Sequence, residues 1–175
     1  MQLYPAAAEE LPAVAALVNS AYRGDTSRQG WTTEADYIDG QRTDAEALAA
    51  DLAATPGARL LTLRDAPGGE LLGTVWLEPV DEGETWYLGM LTVRPDIQDR
   101  QLGRWLLEAA EAYAAQAGAR RIRMTVVSIR DTLIAWYQRR GYALTGETRP
   151  FPYEDERFGQ PKRPDLRFVV LEKAL

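Results

Sequence analysis

At 175 residues, 46% hydrophobic and 26% charged, the chain has the size and composition of one globular domain with a substantial core. Its formal net charge of -6 argues against nucleic acid as the main partner, because a phosphate backbone needs a basic face. The absence of cysteine and histidine removes disulfides, thiolate nucleophiles and Cys- or His-ligated zinc, and leaves any general base to a carboxylate, a tyrosine or a water relay.

Residues Met1–Tyr4 read as a short edge strand broken by Pro5. Glu9–Ala21 reads as a helix with Leu11, Val14, Leu17 and Val18 on one side. The stretch Tyr22–Asp44 is irregular, and a short helix is expected after Thr32-Thr33, where threonine can cap. Asp44–Ala54 is a second, alanine-rich helix ended by Pro56-Gly57. Arg59–Arg64 and Glu70–Leu77 read as a hairpin, followed by a loop and the strand Thr85–Val93. Gly103–Ala117 is a long amphipathic helix with Gly118 as its natural stop. Arg121–Val127 is a strand, Asp131–Arg140 a helix stopped by Gly141, and Tyr142–Thr148 and Leu166–Leu171 two last strands around a long loop. The result is a mixed α/β domain spanning 1–175, in which the unit 86–127 is expected to form a right-handed parallel crossover. No run approaches a membrane span, and the first residues lack the basic segment and long apolar core of a signal peptide, so a cytoplasmic location and no membrane partner are expected.

The segment from Trp86 to Gly118 carries the chemistry. A strand ending at Pro95 feeds a helix through the polar loop DIQDRQLG, which leaves unpaired backbone N–H groups at the helix start. Those groups and the helix dipole favour a phosphate. There is no GxxxxGK[ST] and no GxGxxG after a strand, so neither ATP nor a dinucleotide is supported.

The loop resembles the signature Gln/Arg-x-x-Gly-x-Gly/Ala of the GNAT superfamily of acyl-CoA-dependent N-acyltransferases, which follows a strand often ending Val-x-Pro. Here Val93-Arg94-Pro95 closes the strand, Gln98 opens the loop motif, Gln101 stands at its first glycine position and Gly103 at its last. The second motif of that superfamily, Tyr-x-x-x-Gly-Phe/Tyr, is matched by Tyr137 to Tyr142, with Arg130 where asparagine is frequent and Leu133 where alanine is. The resemblance implies a strongly twisted mixed sheet of six to seven strands flanked by helices, whose central parallel strands splay to admit acetyl-CoA.

It further implies an N-acetyltransferase acting by direct attack of a small-molecule or peptidyl amine, with no metal and, as is common in the superfamily, a homodimer. The cofactor contacts it implies are Leu91, Thr92, Val93, Gln98, Asp99, Arg100, Gln101, Leu102, Gly103, Arg104 and Tyr137. Tyr137 occupies the position of the proton donor to the leaving thiolate, and the Leu91 N–H that of the oxyanion donor. A strand glutamate used as a base in one branch of the superfamily is Tyr87 here; Tyr87, as a relay, and Glu34 are the candidate bases. A non-catalytic CoA-binding member is the alternative, drawn from Gln101, Arg130 and Tyr87.

The segments expected to form the acceptor pocket are rich in aromatics, with Tyr22, Trp31, Tyr87 and Tyr153 as substrate contacts. Acids Asp36, Asp39, Glu154, Asp155 and Glu156 sit among them, which suits a cationic amine. Arg23, Arg28, Lys162 and Arg163 would instead read a substrate carboxylate.

Overall fold

The computed structural model describes the backbone of residues 1–175 and all side chains except those of Asp99 and Phe158. The expected cofactor contact at Asp99 therefore lies outside the described residues, as does the Phe158 ring. In chain order the elements are β1 (Gln2–Pro5), α1 (Leu11–Tyr22), β2 (Ile38–Asp39), α2 (Ala45–Ala54), β3 (Arg59–Arg64), β4 (Leu71–Val80) and β5 (Thr85–Val93). Then come α3 (Leu102–Gln116), β6 (Arg121–Val127), α4 (Asp131–Gln138), β7 (Ala143–Pro150), β8 (Gln160–Pro161) and β9 (Arg167–Ala174). The main sheet has seven strands in the order β1-β3-β4-β5-β6-β9-β7. Every neighbouring pair is antiparallel except β5–β6, which is parallel, as a strand–helix–strand crossover requires.

Local chemistry explains the boundaries. Asp44 caps α2 by accepting the Ala47 N–H at 2.7 Å. Leu102, Leu106, Leu107, Ala110 and Ala114 form the buried stripe of α3, spaced for one helical face. The helix ends at Gly118, whose φ of +102° suits only a residue without Cβ. Helices cover both faces of the sheet. Leu11, Val14 and Val18 of α1 pack with Leu48 of α2 against Leu60 and Trp76. On the opposite face α3 and α4 pack over Leu61, Leu63, Val75, Leu77 and Leu88.

Two irregularities in β5 shape the rest of the molecule. The parallel ladder to β6 consists of Thr85↔Arg121, Trp86↔Ile122 and Tyr87↔Arg123 and then stops. Beyond it β5 stays with β4 up to Val93, while β6 stays with β9 up to Val127. The two halves of the sheet thus open into a wedge. Inside that wedge Met90 and Leu91 lie opposite Val75 alone, so β5 carries a bulge, with Met90 at φ +49°. The bulge reverses the alternation of the strand. Trp86 and Leu88 face α3 before it, and Leu91 and Val93 face α3 after it.

The expected helix after Thr33 is absent. A 3-10 turn forms earlier, at Asp25–Gln29, and Ile38–Asp39 instead pairs antiparallel with Gln160–Pro161. A two-residue ladder formed across such a separation leaves no local periodicity to read.

Candidate active site

Two cavities adjoin inside the wedge. The larger, about 260 Å³, lies between β5 and β6. The smaller, about 150 Å³, lies where the end of β5 meets the first turn of α3 and α4. Both are lined by Tyr22, Leu91, Leu133 and Tyr137, so these four residues form their common wall.

The smaller cavity has an N-terminal helix turn at its mouth. Trp105 N–H donates to the Gln101 carbonyl at 3.2 Å, and the N–H groups of Leu102, Gly103 and Arg104 precede this first donor of the helix ladder. Gln101 holds a left-handed conformation, φ +58° and ψ +19°, which is the physical reason glycine suits this loop position. Val93, Gln98, Gln101, Gly103 and Arg104 line the cavity together with Trp31, Trp136 and Arg140. The Arg140 guanidinium lies 3.8 Å from the Trp136 ring centroid, and its buried Nε has no hydrogen-bond partner. Burial and the neighbouring Arg139 and Arg104 hold its pKa below the usual arginine value, against a smaller opposite effect of Glu108.

Gln98 lines this cavity with its amide already engaged. Its Nε2 donates to Thr32 Oγ1 at 2.7 Å and to the Val93 carbonyl at 3.1 Å, and its Oε1 accepts the Trp31 N–H at 2.9 Å. It ties the end of β5 to the segment after α1. Gly30 makes that tie possible, since a Cβ there would lie 2.3 Å from Gln98 Oε1. Leu102 is buried, Thr92 is buried with its hydroxyl on the Met90 carbonyl at 2.8 Å, and Arg100 is exposed; none of the three lines either cavity.

The common wall is built around the β5 bulge. Tyr22 Oη donates to the Leu91 carbonyl at 2.5 Å, and Thr92 holds the Met90 carbonyl, so both carbonyls of the bulge are bolted in place. Tyr137 stacks edge-on against Trp136 and Tyr142, with ring centroids 5.1 and 5.7 Å away. Burial pushes the Tyr137 hydroxyl far above the ordinary tyrosine value, with a smaller push from Tyr22, so it stays protonated throughout the neutral range. Burial also raises Tyr22.

In the larger cavity, Tyr87 reaches from β5 to within 3.4 Å of Thr125 Oγ1 on β6 and also borders an outer groove with Glu78. Its ring lies over Gly89, where a Cβ would come within 2.9 Å of it. Glu34 is buried between two guanidiniums: Arg23 Nη1 donates to Oε1 at 2.8 Å, and Arg130 Nη1 to Oε2 at 3.3 Å. Arg130 also donates to the Thr32 carbonyl at 2.6 Å. Both oxygens of Glu34 are occupied by donors, which makes it a strut for the arginines rather than a free proton acceptor.

Two of the expected substrate residues lie elsewhere. Trp31 lines the smaller cavity, 5.8 Å from Trp136, and not the larger one. Tyr153 lines neither; its hydroxyl donates to the Arg163 carbonyl and accepts the Leu166 N–H, both at 2.7 Å, and so pins the last loop. The acidic rim is likewise displaced. Asp36 pairs with Arg28, Asp39 with Lys162 and Asp155 with Arg157, all outside the larger cavity. Conversely Arg42, Thr125, Arg130 and Arg140 line the cavities without having been singled out as site residues. Only Arg130 left a trace in the sequence, as the charged residue at a motif position where asparagine is frequent. Among the described residues no cluster of three or more carboxylates is placed to hold a metal ion, and no helix is long and apolar enough to cross a membrane.

Comparison with known proteins agrees with this architecture. Over 92 residues, 50% of this chain, the sequence is 32% identical to the mycothiol acetyltransferase of Propionibacterium freudenreichii subsp. shermanii; the match spans only 28% of that protein's length. The fold matches the ribosomal-protein-alanine N-acetyltransferase of Brucella melitensis with TM-score 0.71 and 20% identity, over 100% of both chains. It matches YncA of Salmonella typhimurium, solved with acetyl-CoA, with TM-score 0.69 and 19% identity, over 100% of this chain and 94% of the other. Residues 17–142, which contain the β5 bulge, the loop before α3 and Tyr137, match the family described as acetyltransferase (GNAT), and the chain belongs to that family.

Proposed function

We propose that the protein transfers an acetyl group from acetyl-CoA to a primary amine of a small molecule or peptide. The observation that carries this reading is the junction of the two cavities at Leu91 and Tyr137. One cavity has phosphate-binding chemistry at its mouth, and the other has room for an acceptor. The N–H groups at the start of α3, with Arg104 and Arg140 beside them, suit the pyrophosphate, each helix-end contribution being about 0.3–2 kcal/mol. The unpaired Arg140 Nε fits a polar group of that ligand. The open edge of β5 at Leu91–Val93 suits the amides of the pantetheine arm, which add to it as a further strand would.

Acetyl-CoA supplies a thioester carbonyl to the junction. The amine nitrogen forms a bond to that carbon, the C–S bond breaks, and the proton lost by the amine is balanced by the one gained at sulfur. In this reading the Leu91 N–H serves the developing oxyanion; it shares its peptide plane with the Met90 carbonyl, which the Thr92 hydroxyl holds. Tyr137, kept protonated by burial, donates to the departing thiolate. Glu34 acts through Arg23 and Arg130 by holding them in place. Tyr87, which borders both the acceptor cavity and the outer groove, serves as the route by which the amine's proton leaves.

Calorimetric titration tests the cofactor half of the reading. Acetyl-CoA and CoA bind the wild-type protein at micromolar concentration, and Arg140→Ala weakens both. Heat-silent titrations with both ligands at high micromolar concentration overturn the reading.

A further inference from the structure

We infer that the Glu78 carboxylate is the final acceptor of the proton that the amine loses, reached through the Tyr87 hydroxyl. This rests on the transferase reading and on the route assigned there to Tyr87. In a chain without histidine the proton must go to a carboxylate, a tyrosine or water. Among the described residues lining the two cavities and the outer groove, the carboxylates are Glu34 and Glu78. Both oxygens of Glu34 are taken up by Arg23 and Arg130. Glu78 is paired with no cation: its Oε2 accepts the Trp76 Nε1–H at 2.8 Å, and its Oε1 has no partner among the described residues.

The ladder sets Glu78 beside Tyr87. The two stand directly opposite each other in the antiparallel β4–β5 pair, so their side chains leave the same face of the sheet. Both then lean the same way. The bond to Trp76 draws the carboxylate along β4 toward the residue two positions back, and the Tyr87 ring lies over Gly89, two positions on along β5. Trp76 and Gly89 are themselves register partners, so carboxylate and phenol converge on one row, where Gly89 puts no side chain between them. Tyr87 lines both the larger cavity and the outer groove of about 400 Å³, whereas Glu78 lines the groove alone. Tyr87 thus has the amine's chamber on one side and the carboxylate's on the other.

The charged groups around Glu78 are held elsewhere. Arg123 of β6 donates from Nε to Glu172 at 2.7 Å and from Nη2 to Asp81 at 3.0 Å, and Arg149 of β7 donates from Nε to Glu147 at 3.2 Å. On the β3 side Arg59 turns to the Ala58 carbonyl at 3.0 Å. The titratable side chain of α1 is Tyr22, which holds the Leu91 carbonyl. The proton balance closes. An N–H bond of the ammonium breaks as its proton passes to the Tyr87 oxygen, the Tyr87 O–H proton passes through groove water to a Glu78 oxygen, and the neutral amine attacks. Tyr87 ends as it began, and Glu78 returns the proton to solvent through the groove.

The test uses two primary amines of similar shape as acceptors with acetyl-CoA, and product is identified by mass spectrometry. Ethylamine is an ammonium at neutral pH; trifluoroethylamine is neutral there, because its fluorines withdraw electron density. Glu78→Gln keeps an oxygen to accept the Trp76 N–H. It is expected to lower kcat/KM at neutral pH by about 100-fold for ethylamine and by less than about tenfold for trifluoroethylamine, with acetyl-CoA affinity unchanged. The ethylamine loss shrinks as pH rises, because solvent then supplies neutral amine, and Glu78→Asp recovers part of the rate. Equal losses with the two amines at every pH, or no loss with ethylamine, overturn the inference. Wild-type protein that binds acetyl-CoA but acetylates neither amine strikes the transferase reading instead, and the inference falls with it; the first failure is seen in the variant and the second in the wild type.

Discussion

Tyr137 shows how one residue serves two demands. Tyr137 is a core aromatic, packed between Trp136 and Tyr142, and its hydroxyl is at the same time part of the wall between the two cavities. Removing only the oxygen separates the roles. Tyr137→Phe keeps the packing and is expected to lower kcat by about 100-fold, the lower part of the range for general acid catalysis, with the acetyl-CoA dissociation constant unchanged. Parallel single-turnover and titration measurements check this, and undiminished kcat removes Tyr137 from the chemistry. Gln101 stands where the loop motif has glycine, and its left-handed backbone explains that preference without abolishing the loop: a side chain there costs about 1–2 kcal/mol but the helix still starts at Leu102. The motif residues were therefore readable one by one. Arg130, by contrast, is a departure from a motif in sequence and a pillar of the larger cavity in space, because its partners Glu34 and Thr32 lie about a hundred residues earlier.

At the scale of elements, the β5 bulge positions the site. It turns the strand by one residue, so that Tyr87 and Met90 face α1 while Leu91 and Val93 face α3. The strand itself was evident from its β-branched and aromatic residues. The bulge was not, since an apolar run such as Leu88-Gly89-Met90-Leu91 reads equally well in either register. Its stability depends on groups outside the strand, above all Tyr22 on the Leu91 carbonyl. Tyr22→Phe is expected to reduce unfolding free energy by about 0.5–1.5 kcal/mol, measured by urea denaturation, and to lower kcat/KM by more than the stability loss explains. An unaltered kcat/KM with the expected loss of stability restricts Tyr22 to a structural role. The segment 22–44 was the least legible part of the chain. Its shape comes from Gln98 bonding to Thr32 and Trp31 and from the β2–β8 pair, none of which is encoded by local periodicity.

At the scale of the whole molecule, two antiparallel half-sheets share three parallel pairs and then diverge. Side chains from both halves and from the helices meet in the gap, and tyrosines dominate the meeting. Burial raises the hydroxyls of Tyr22, Tyr37, Tyr137 and Tyr142 above the ordinary value of 10.0; at Tyr142 the charge of Glu111 adds a second push and its hydrogen bond a third. The folded state thus holds these protons more tightly than the unfolded chain. Stability is fully present below the unfolded value and is lost as pH rises toward the folded values. Thermal melting is expected to stay level up to about pH 9 and to fall from about pH 10 upward. A flat profile through pH 11 contradicts the burial of these groups.

The fold and the conformation of the loop before α3 were legible because strand and helix periodicities and two spaced motifs are local. The larger cavity was not, because its charges come from two distant segments, 23–42 and Arg130. The central claim is that the junction at Leu91 and Tyr137 performs transfer as well as binding. Its most direct measurement is thiol release from acetyl-CoA with and without an amine acceptor. Release that depends on the amine and matches N-acetylated product one for one is the predicted result. Acetyl-CoA that binds but releases no thiol above background with any member of an amino-acid and amine panel would contradict it.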